Sequence, residues 1–513
     1  MAGLPMLDGG WRLGRWALGA STILSLTLLA GRLTGLLREI QLAAAFGVTA
    51  DADVAVLLLT LPDLLVNLLL SGGLSAALVP RFRSLLPAEA DALFRRALLV
   101  ALTVFTALAV LLLAWPRGVF SLLAPGLRHQ ADLPSAITLA LLASALPLTA
   151  ASGVATAYLN AGHRFFLAGC GTLIFNLGVL IGLSLGQAMG QTMLALCIGI
   201  SAGALMRAAS QFAALPSNVW RGTAAKSGLD RSFGQAFFAA TLSASLMLLV
   251  PVLVRSMAST LGSGVISSFN YALKLVELPV GILISSIATV ALSCLSEREA
   301  AGDRSGALAV AGYHLRRSLL LALAVTVLGA WFSAPIVRIV LARGAMHPQS
   351  LLSVAGLFQI AVLGVPAVAV IGIAAAALNA SQRTNKLFKG TVGCLAMLPV
   401  LALPGMLVGS ERLLMLALVG FQSLLAVVLS RFAGLLPLGM RGWFTRGMLL
   451  RSIVCLAIAG ATAGLDLLWD HDPGASNDLL RLGLASFGFF MAITLPARIH
   501  RAADASFTSF RGA

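Results

Sequence analysis

The stretch WALGASTILSLTLLAGRLTGLLREIQLAAA, from Trp16 to Ala45, is apolar enough to cross a bilayer yet carries Arg32, Arg38 and Glu39 within it. A helix of this length exceeds the roughly 30 Å of hydrocarbon that a membrane presents. An ionised side chain at that depth costs about 2.5 kcal/mol or more, so such groups face a watery cavity, a counter-charge or an anionic ligand. Further along, Arg255 and Lys274 repeat the pattern, each a cation inside an otherwise apolar run.

The rest of the chain has the same character. Of its 513 residues 59% are hydrophobic and 11% charged, and the mean hydropathy is +0.96. That composition excludes a soluble domain. Charge-free runs of helix length recur at Ala97–Pro116, Leu133–His163, Ser232–Val254, Ser318–Val337, Pro348–Gln382 and Gly390–Ser410. The run Phe165–Met206 is too long for one span and reads as two, hinged between Gly186 and Gly190. The expected fold is an all-α polytopic membrane protein of about fourteen helices, at 16–45, 53–80, 96–116, 134–161, 165–186, 190–214, 234–258, 264–295, 314–340, 350–380, 388–408, 412–435, 448–469 and 480–498.

Charge provides an independent check, because cytoplasmic loops collect Lys and Arg. With the N-terminus inside and the helices alternating, only Arg117, Arg128, Arg338, Arg343, Arg412 and Arg481 fall outside, and the loop bearing Asp466, Asp470, Asp472 and Asp478 is acidic and external. Arg207 is counted among the inside segments. Both termini are then expected in the cytoplasm, and the N-terminal run is read as a retained helix. The net charge of +16 is explained by this topology and by attraction to anionic membrane lipids, without nucleic acid as a partner. Cys170, Cys197, Cys294, Cys394 and Cys455 form neither a CxxC motif nor a disulfide framework. The six histidines lack metal-ligand spacing, no nucleophilic triad can be placed on facing helices, and no GxxxxGK[ST] loop occurs. Neither catalysis, a metal nor a cofactor is expected.

Asp53-Val-Ala-Val-Leu-Leu-Leu-Thr-Leu-Pro62 is echoed by Asn270-Tyr-Ala-Leu-Lys-Leu-Val-Glu-Leu-Pro279. The echo suggests two six-helix lobes in parallel pseudo-repeat, 1–230 and 231–440, followed by two C-terminal helices and a tail at 441–513, with a site between the lobes. Chance recurrence of Leu-Pro in a Leu-rich chain is the plainer alternative.

Polar residues fall where such a site needs them. Gly31 and Gly35 are four apart and admit a close neighbouring helix. Arg32 and Arg38 are six apart and diverge by about 120° around the helix. Lys274 and Glu277 share a face and can pair, and Asp53 and Asp63 offer counter-charges in the second helix. The candidate anion-binding set is therefore Arg32, Arg38, Arg255 and Lys274, supported by Glu39, Asp53, Asp63 and Glu277. Simpler roles stand beside each: Arg38 and Glu39 as snorkelling interfacial charges, Lys274–Glu277 as a structural pair, Asp53 as a solvated cap. Pro62, Pro147, Pro251, Pro279 and Pro366 mark positions where helices can bend.

Arg32-Leu-Thr-Gly-Leu-Leu-Arg38-Glu39, Phe46-Gly47, Asp53, Leu61-Pro62 and Ala77-Leu-Val-Pro80 resemble the N-terminal signature of the MurJ/MviN lipid II flippases, within the multidrug/oligosaccharidyl-lipid/polysaccharide exporter superfamily. Leu159-Asn160-Ala-Gly-His-Arg164-Phe165, Asn176, Tyr271-Ala-Leu-Lys-Leu-Val-Glu277-Leu-Pro279 and Ser381-Gln-Arg383 continue the resemblance in the same order. It implies a fourteen-helix fold whose lobes enclose a cationic cavity. It also implies translocation of a polyprenyl-pyrophosphate-linked peptidoglycan precursor across a bacterial inner membrane, beside the cell-wall synthesis machinery. Membrane potential or an ion gradient is the energy source open to such a cycle, and no acidic cluster in the sequence marks an ion site.

The family's first-helix arginines match Arg32 and Arg38, its second-helix aspartate matches Asp53, and its eighth-helix Arg/Glu pair matches Lys274 and Glu277. The chain departs from the pattern at Val66-Asn67, where the family has Arg-Arg, at Ser71, where it has Glu, and at Lys274. Lys lacks the bidentate fork that Arg offers phosphate; Arg255 restores a positive charge. These departures keep two alternatives open: a flippase for another polyprenyl-linked saccharide, and a non-transporting scaffold of envelope assembly. Neutral replacement of Arg32, Arg38 or Lys274 is expected to abolish transport and to leave insertion intact.

Overall fold

A computed structural model describes residues 9–71, 74–129, 134–220 and 246–435. The expected helices at 448–469 and 480–498 lie outside the described residues, as do the side chains of Val66, Asn67 and Ser71. Among the described residues every regular element is helical, and nine helices are long and apolar enough to cross a membrane. The protein is an all-α, multi-pass membrane protein.

The chain divides into two compact units, residues 1–267 and 268–513. The first begins with α1 (Gly9–Phe46), α2 (Ala50–Ser71), α3 (Leu74–Ser84), α4 (Pro87–Ala114) and the short α5 (Pro116–Leu123). It continues with α6 (Ala136–Ala161), α7 (Phe165–Met189), α8 (Thr192–Ala213) and α9 (Leu246–Ala258). Gly47 in the left-handed region, with φ 64°, ends α1, and the Thr49 hydroxyl accepts the Ala52 N–H to start α2. The expected hinge lies at Gly190, whose φ of 70° closes α7. The second span, expected at 53–80, is helical on both sides of Gly72 and Gly73, which lie outside the described residues.

Small residues set the spacing in this unit. A Cβ on Gly178 would stand 2.5 Å from the Gly203 Cα, and one on Gly182 would stand 2.8 Å from the Gly199 Cα. The backbones of α7 and α8 therefore touch along a glycine seam. The central α6 is buried along most of its length, from Thr138 to Leu159. It packs with α3 and α4 around Phe82, Leu93, Phe94, Val154 and Leu159.

The second unit takes in most of α10 (Val265–Pro279), then α11 (Ser285–Ala300), α12 (Arg304–Trp331), α13 (Ser333–Leu341), α14 (Pro348–Ala361), α15 (Val365–Ala380), α16 (Thr384–Val408) and α17 (Glu411–Ala433). The spans expected at 264–295 and 350–380 run through as single helices with a local change of winding beside a proline, and the span expected at 314–340 is broken at Phe332, ahead of Pro335. Pro279 is followed by a π turn over Val280–Ile284. Pro335, which cannot donate to the Trp331 carbonyl, sits in the first turn of α13. Pro366 leaves the Val362 carbonyl without its usual donor, and the Thr326 hydroxyl fills the gap at 2.9 Å. Pro62 and Pro147 lie inside continuous helices.

Candidate functional site

The site in the first unit is built on the close approach of α1 to α7. Gly31 and Gly35 face α7, where a Cβ would meet Thr172 and Asn176 respectively at 3.4 Å. Asn176 Nδ2 donates to the Gly31 carbonyl at 3.1 Å. The spacing read as a close-approach motif works as one, and its partner is the asparagine singled out further along the chain.

Asn176 then turns its oxygen to Arg38. Arg38 Nη1 donates to Asn176 Oδ1 at 3.2 Å and to Asp63 Oδ1 at 3.0 Å, while Nη2 donates to Asp63 Oδ2 and Glu39 Oε1, each at 2.7 Å. Arg38 and Glu39 are both 3% exposed, so neither snorkels to an interface. Burying one cation demands such compensation. Two carboxylates around one guanidinium leave the trio with no net positive charge. Arg32, two turns earlier, is exposed on α1 and makes no ion pair among the described residues.

Asp53 is fully buried. Its carboxylate accepts the backbone N–H groups of Gly264 and Ser267, both at 2.7 Å, at the start of α10. It is thus a cap for a helix other than its own, and a dry one rather than the solvated cap expected from its place in the sequence. The anion sits on the positive end of the α10 dipole. Arg255 on α9 reaches α2 as well, with Nη1 donating to Thr60 Oγ1 at 2.9 Å, three residues before Asp63. Arg38 therefore holds Glu39, Asp63 and Asn176 at once, Arg255 joins α2 one turn before Asp63, and Asp53 lies in the first turn of the same helix.

In the second unit, Lys274 and Glu277 pair across one turn of α10 at 2.8 Å. Their side chains are 24% and 57% exposed, so the pair borders open space.

Two buried groups escape a reading of the sequence. Asp91 on α4 accepts from Tyr158 Oη at 2.5 Å and from Asn218 Nδ2 at 3.1 Å, tying α4, α6 and the segment after α8 together. Arg207, counted among cytoplasmic-side cations, is fully buried inside α8. Its position six residues before the end of an apolar helix was the available signal. Among the described residues no cluster of His, Cys, Asp and Glu has the makings of a metal site.

Comparison with known proteins agrees with this architecture. The family model described as "Lipid II flippase MurJ" matches residues 42–472. A probable lipid II flippase MurJ of Thermotoga maritima is 29% identical over 269 residues, 52% of this chain and 55% of that protein. A probable lipid II flippase MurJ of Rhizobium meliloti is 27% identical over 357 residues, 66% of each chain. The chain thus matches between about half and two thirds of the length of these curated relatives. Among solved structures, "Lipid II flippase MurJ, inward closed conformation" superposes with a TM-score of 0.78 at 18% identity, covering 93% of this chain and 99% of that one. An inward-facing multidrug resistance MATE family transporter of the MOP superfamily gives a TM-score of 0.67 at 13% identity, over 81% and 97%. With a family match that spans most of its length and the same all-helical fold, this chain belongs to the MurJ lipid II flippase family.

Proposed function

We propose that the protein carries a polyprenyl-pyrophosphate-linked peptidoglycan precursor, lipid II, from the inner to the outer leaflet of a bacterial inner membrane, by alternating access through a cationic cavity. The family match over residues 42–472 is the observation that carries the reading. The exposed Arg32, with no carboxylate on it among the described residues, supplies the fixed cation that a pyrophosphate headgroup needs, and Lys274 a second. The prenyl tail stays in the bilayer. Both termini lie in the cytoplasm, and membrane potential or an ion gradient drives the cycle, since one charge moved through 100 mV yields about 2.3 kcal/mol.

A second reading, a flippase for another polyprenyl-linked saccharide, is favoured by Val66, Asn67, Ser71 and Lys274, which depart from the family's charge pattern. Cells depleted of their own lipid II flippase separate the two. Rescue by the wild type and not by Arg32→Ala, at equal membrane abundance, supports lipid II and the cationic site together. Absence of rescue by the wild type overturns lipid II as the substrate and directs attention to other lipid-linked saccharides or to a scaffold.

A further inference from the structure

Arg207 on α8 is 0% exposed, and none of its three guanidinium nitrogens has a hydrogen-bond partner. No carboxylate stands within ion-pair distance of it among the described residues. Gln211, one turn later, is equally buried with both amide atoms unpartnered. The two head groups are neighbours, because both close over one point of α7: a Cβ on Gly171 would stand 2.5 Å from Gln211 Nε2 and 3.0 Å from Arg207 Nε. On the adjacent α6 the Thr149 hydroxyl is also fully buried without a partner, and the contacts of Ser201 with Leu141 and Ser144 set Thr149 level with Arg207. The first unit thus carries a polar layer across apolar helices, outside the network that Arg38 holds.

A guanidinium keeps its proton, and a charge so deeply buried demands an opposite one. The hydrogen-bonding surplus has a sign as well. Of the five unpartnered atoms on Arg207 and Gln211, four are donor nitrogens and one is an acceptor. Water satisfies such donors and leaves the charge uncompensated, whereas a small anion meets both needs. We infer that Arg207 and Gln211 hold a monovalent, halide-sized anion where α8 meets α7, as a fixed counter-ion of the fold and separate from the headgroup site. One guanidinium calls for one negative charge, and the complete burial of both side chains excludes a phosphate ester or any larger anion. Arg207 lies six residues before Ala213, about 9 Å along the helix, so the ion enters from that end of α8.

Titration of the full-length protein in detergent tests this, with chloride as the probe and the thermal midpoint as the readout. Chloride replaces gluconate, an anion too large for a closed site, at constant ionic strength. The wild-type midpoint is expected to rise with chloride and to saturate, as binding to the folded state alone requires. Arg207→Met is expected to show no chloride response, and in gluconate to melt at or above the wild type, because an uncompensated buried charge has been exchanged for an apolar chain. An arginine that serves packing alone gives the reverse, a lower midpoint at every chloride concentration. Gln211→Leu keeps the charge and is expected to raise the half-saturating chloride concentration about tenfold, the scale of one charge-assisted hydrogen bond.

A wild type whose midpoint does not respond to chloride overturns the inference. A chloride response that Arg207→Met retains overturns it too, because the ion then sits elsewhere. If Arg207→Met yields no folded protein, Gln211→Leu decides alone: a tenfold shift supports the site and an unchanged half-saturation overturns it. Every one of these outcomes leaves the reading of the protein as a flippase standing, since the anion is not the cargo.

Discussion

The Asp53 carboxylate accepts the Ser267 backbone N–H at 2.7 Å across 214 residues of sequence, so the first turn of α2 caps the start of α10. The second oxygen holds Gly264 N–H, and the pair of bonds fixes the start of the helix that bears Lys274 and Glu277. Asp53→Ala removes both acceptors and leaves two dry N–H groups, at a cost of about 1–3 kcal/mol. The expected result is a lower thermal midpoint of the detergent-purified protein, with a smaller drop for Asp53→Asn, which keeps one oxygen. Equal midpoints for wild type and Asp53→Ala would remove the capping role.

The glycine seam between α7 and α8 and the glycine pair on α1 differ in tolerance. Gly178→Ala drives a methyl to 2.5 Å from the Gly203 Cα, a backbone atom that cannot step aside. Overpacking of this kind costs about 1–3 kcal/mol. Gly35→Ala meets Asn176 at 3.4 Å, an ordinary contact. Folded yield, measured as the monodisperse fraction after purification, is expected to fall for Gly178→Ala and to stay near wild type for Gly35→Ala. The reverse order would mean that α1, and not α7–α8, is the tighter seam.

Local features were legible in the sequence and tertiary ones were not. Helix-length apolar runs mark the spans, and Lys274 and Glu277 meet because an i,i+3 spacing alone brings them together. The changes of winding after Pro279 and before Pro366 follow from missing backbone donors. The same logic applied to Pro335 would have divided 314–340. By contrast, Arg38 finds Asp63 and Asn176, 25 and 138 residues away, only after α1, α2 and α7 pack. Its charge looked available because nothing near it in sequence except Glu39 opposes it. Arg207 was masked for the opposite reason: a basic residue close to a helix end reads as topology.

The Lys274–Glu277 pair gives a way to separate binding from stability. A partly exposed i,i+3 ion pair contributes roughly 0–1 kcal/mol, so Lys274→Ala and Glu277→Gln are expected to leave the thermal midpoint within a few degrees. Loss of rescue in flippase-depleted cells is expected for Lys274→Ala, and Lys274→Arg is expected to rescue at least as well as the wild type because the guanidinium adds a bidentate fork. Rescue by Lys274→Ala would take Lys274 out of the headgroup site.

Arg32 and Arg38 were expected to behave alike when neutralised, and their surroundings separate them. Arg38→Ala takes from Glu39, which is 3% exposed, and from Asp63 the guanidinium that donates to both. Removing one partner of a buried pair costs about 3–5 kcal/mol. That variant is expected to lose folded protein as well as transport. Arg32→Ala removes an exposed cation that no carboxylate holds among the described residues, so it is expected to insert and fold normally and to fail only in rescue. The distinguishing variant is Arg38→Ala combined with Asp63→Asn, which lowers the number of uncompensated charges and is expected to recover membrane abundance without recovering transport. Equal abundance of Arg32→Ala and Arg38→Ala would contradict the network around Arg38; recovered transport in the double variant would show that Arg38 serves the fold alone.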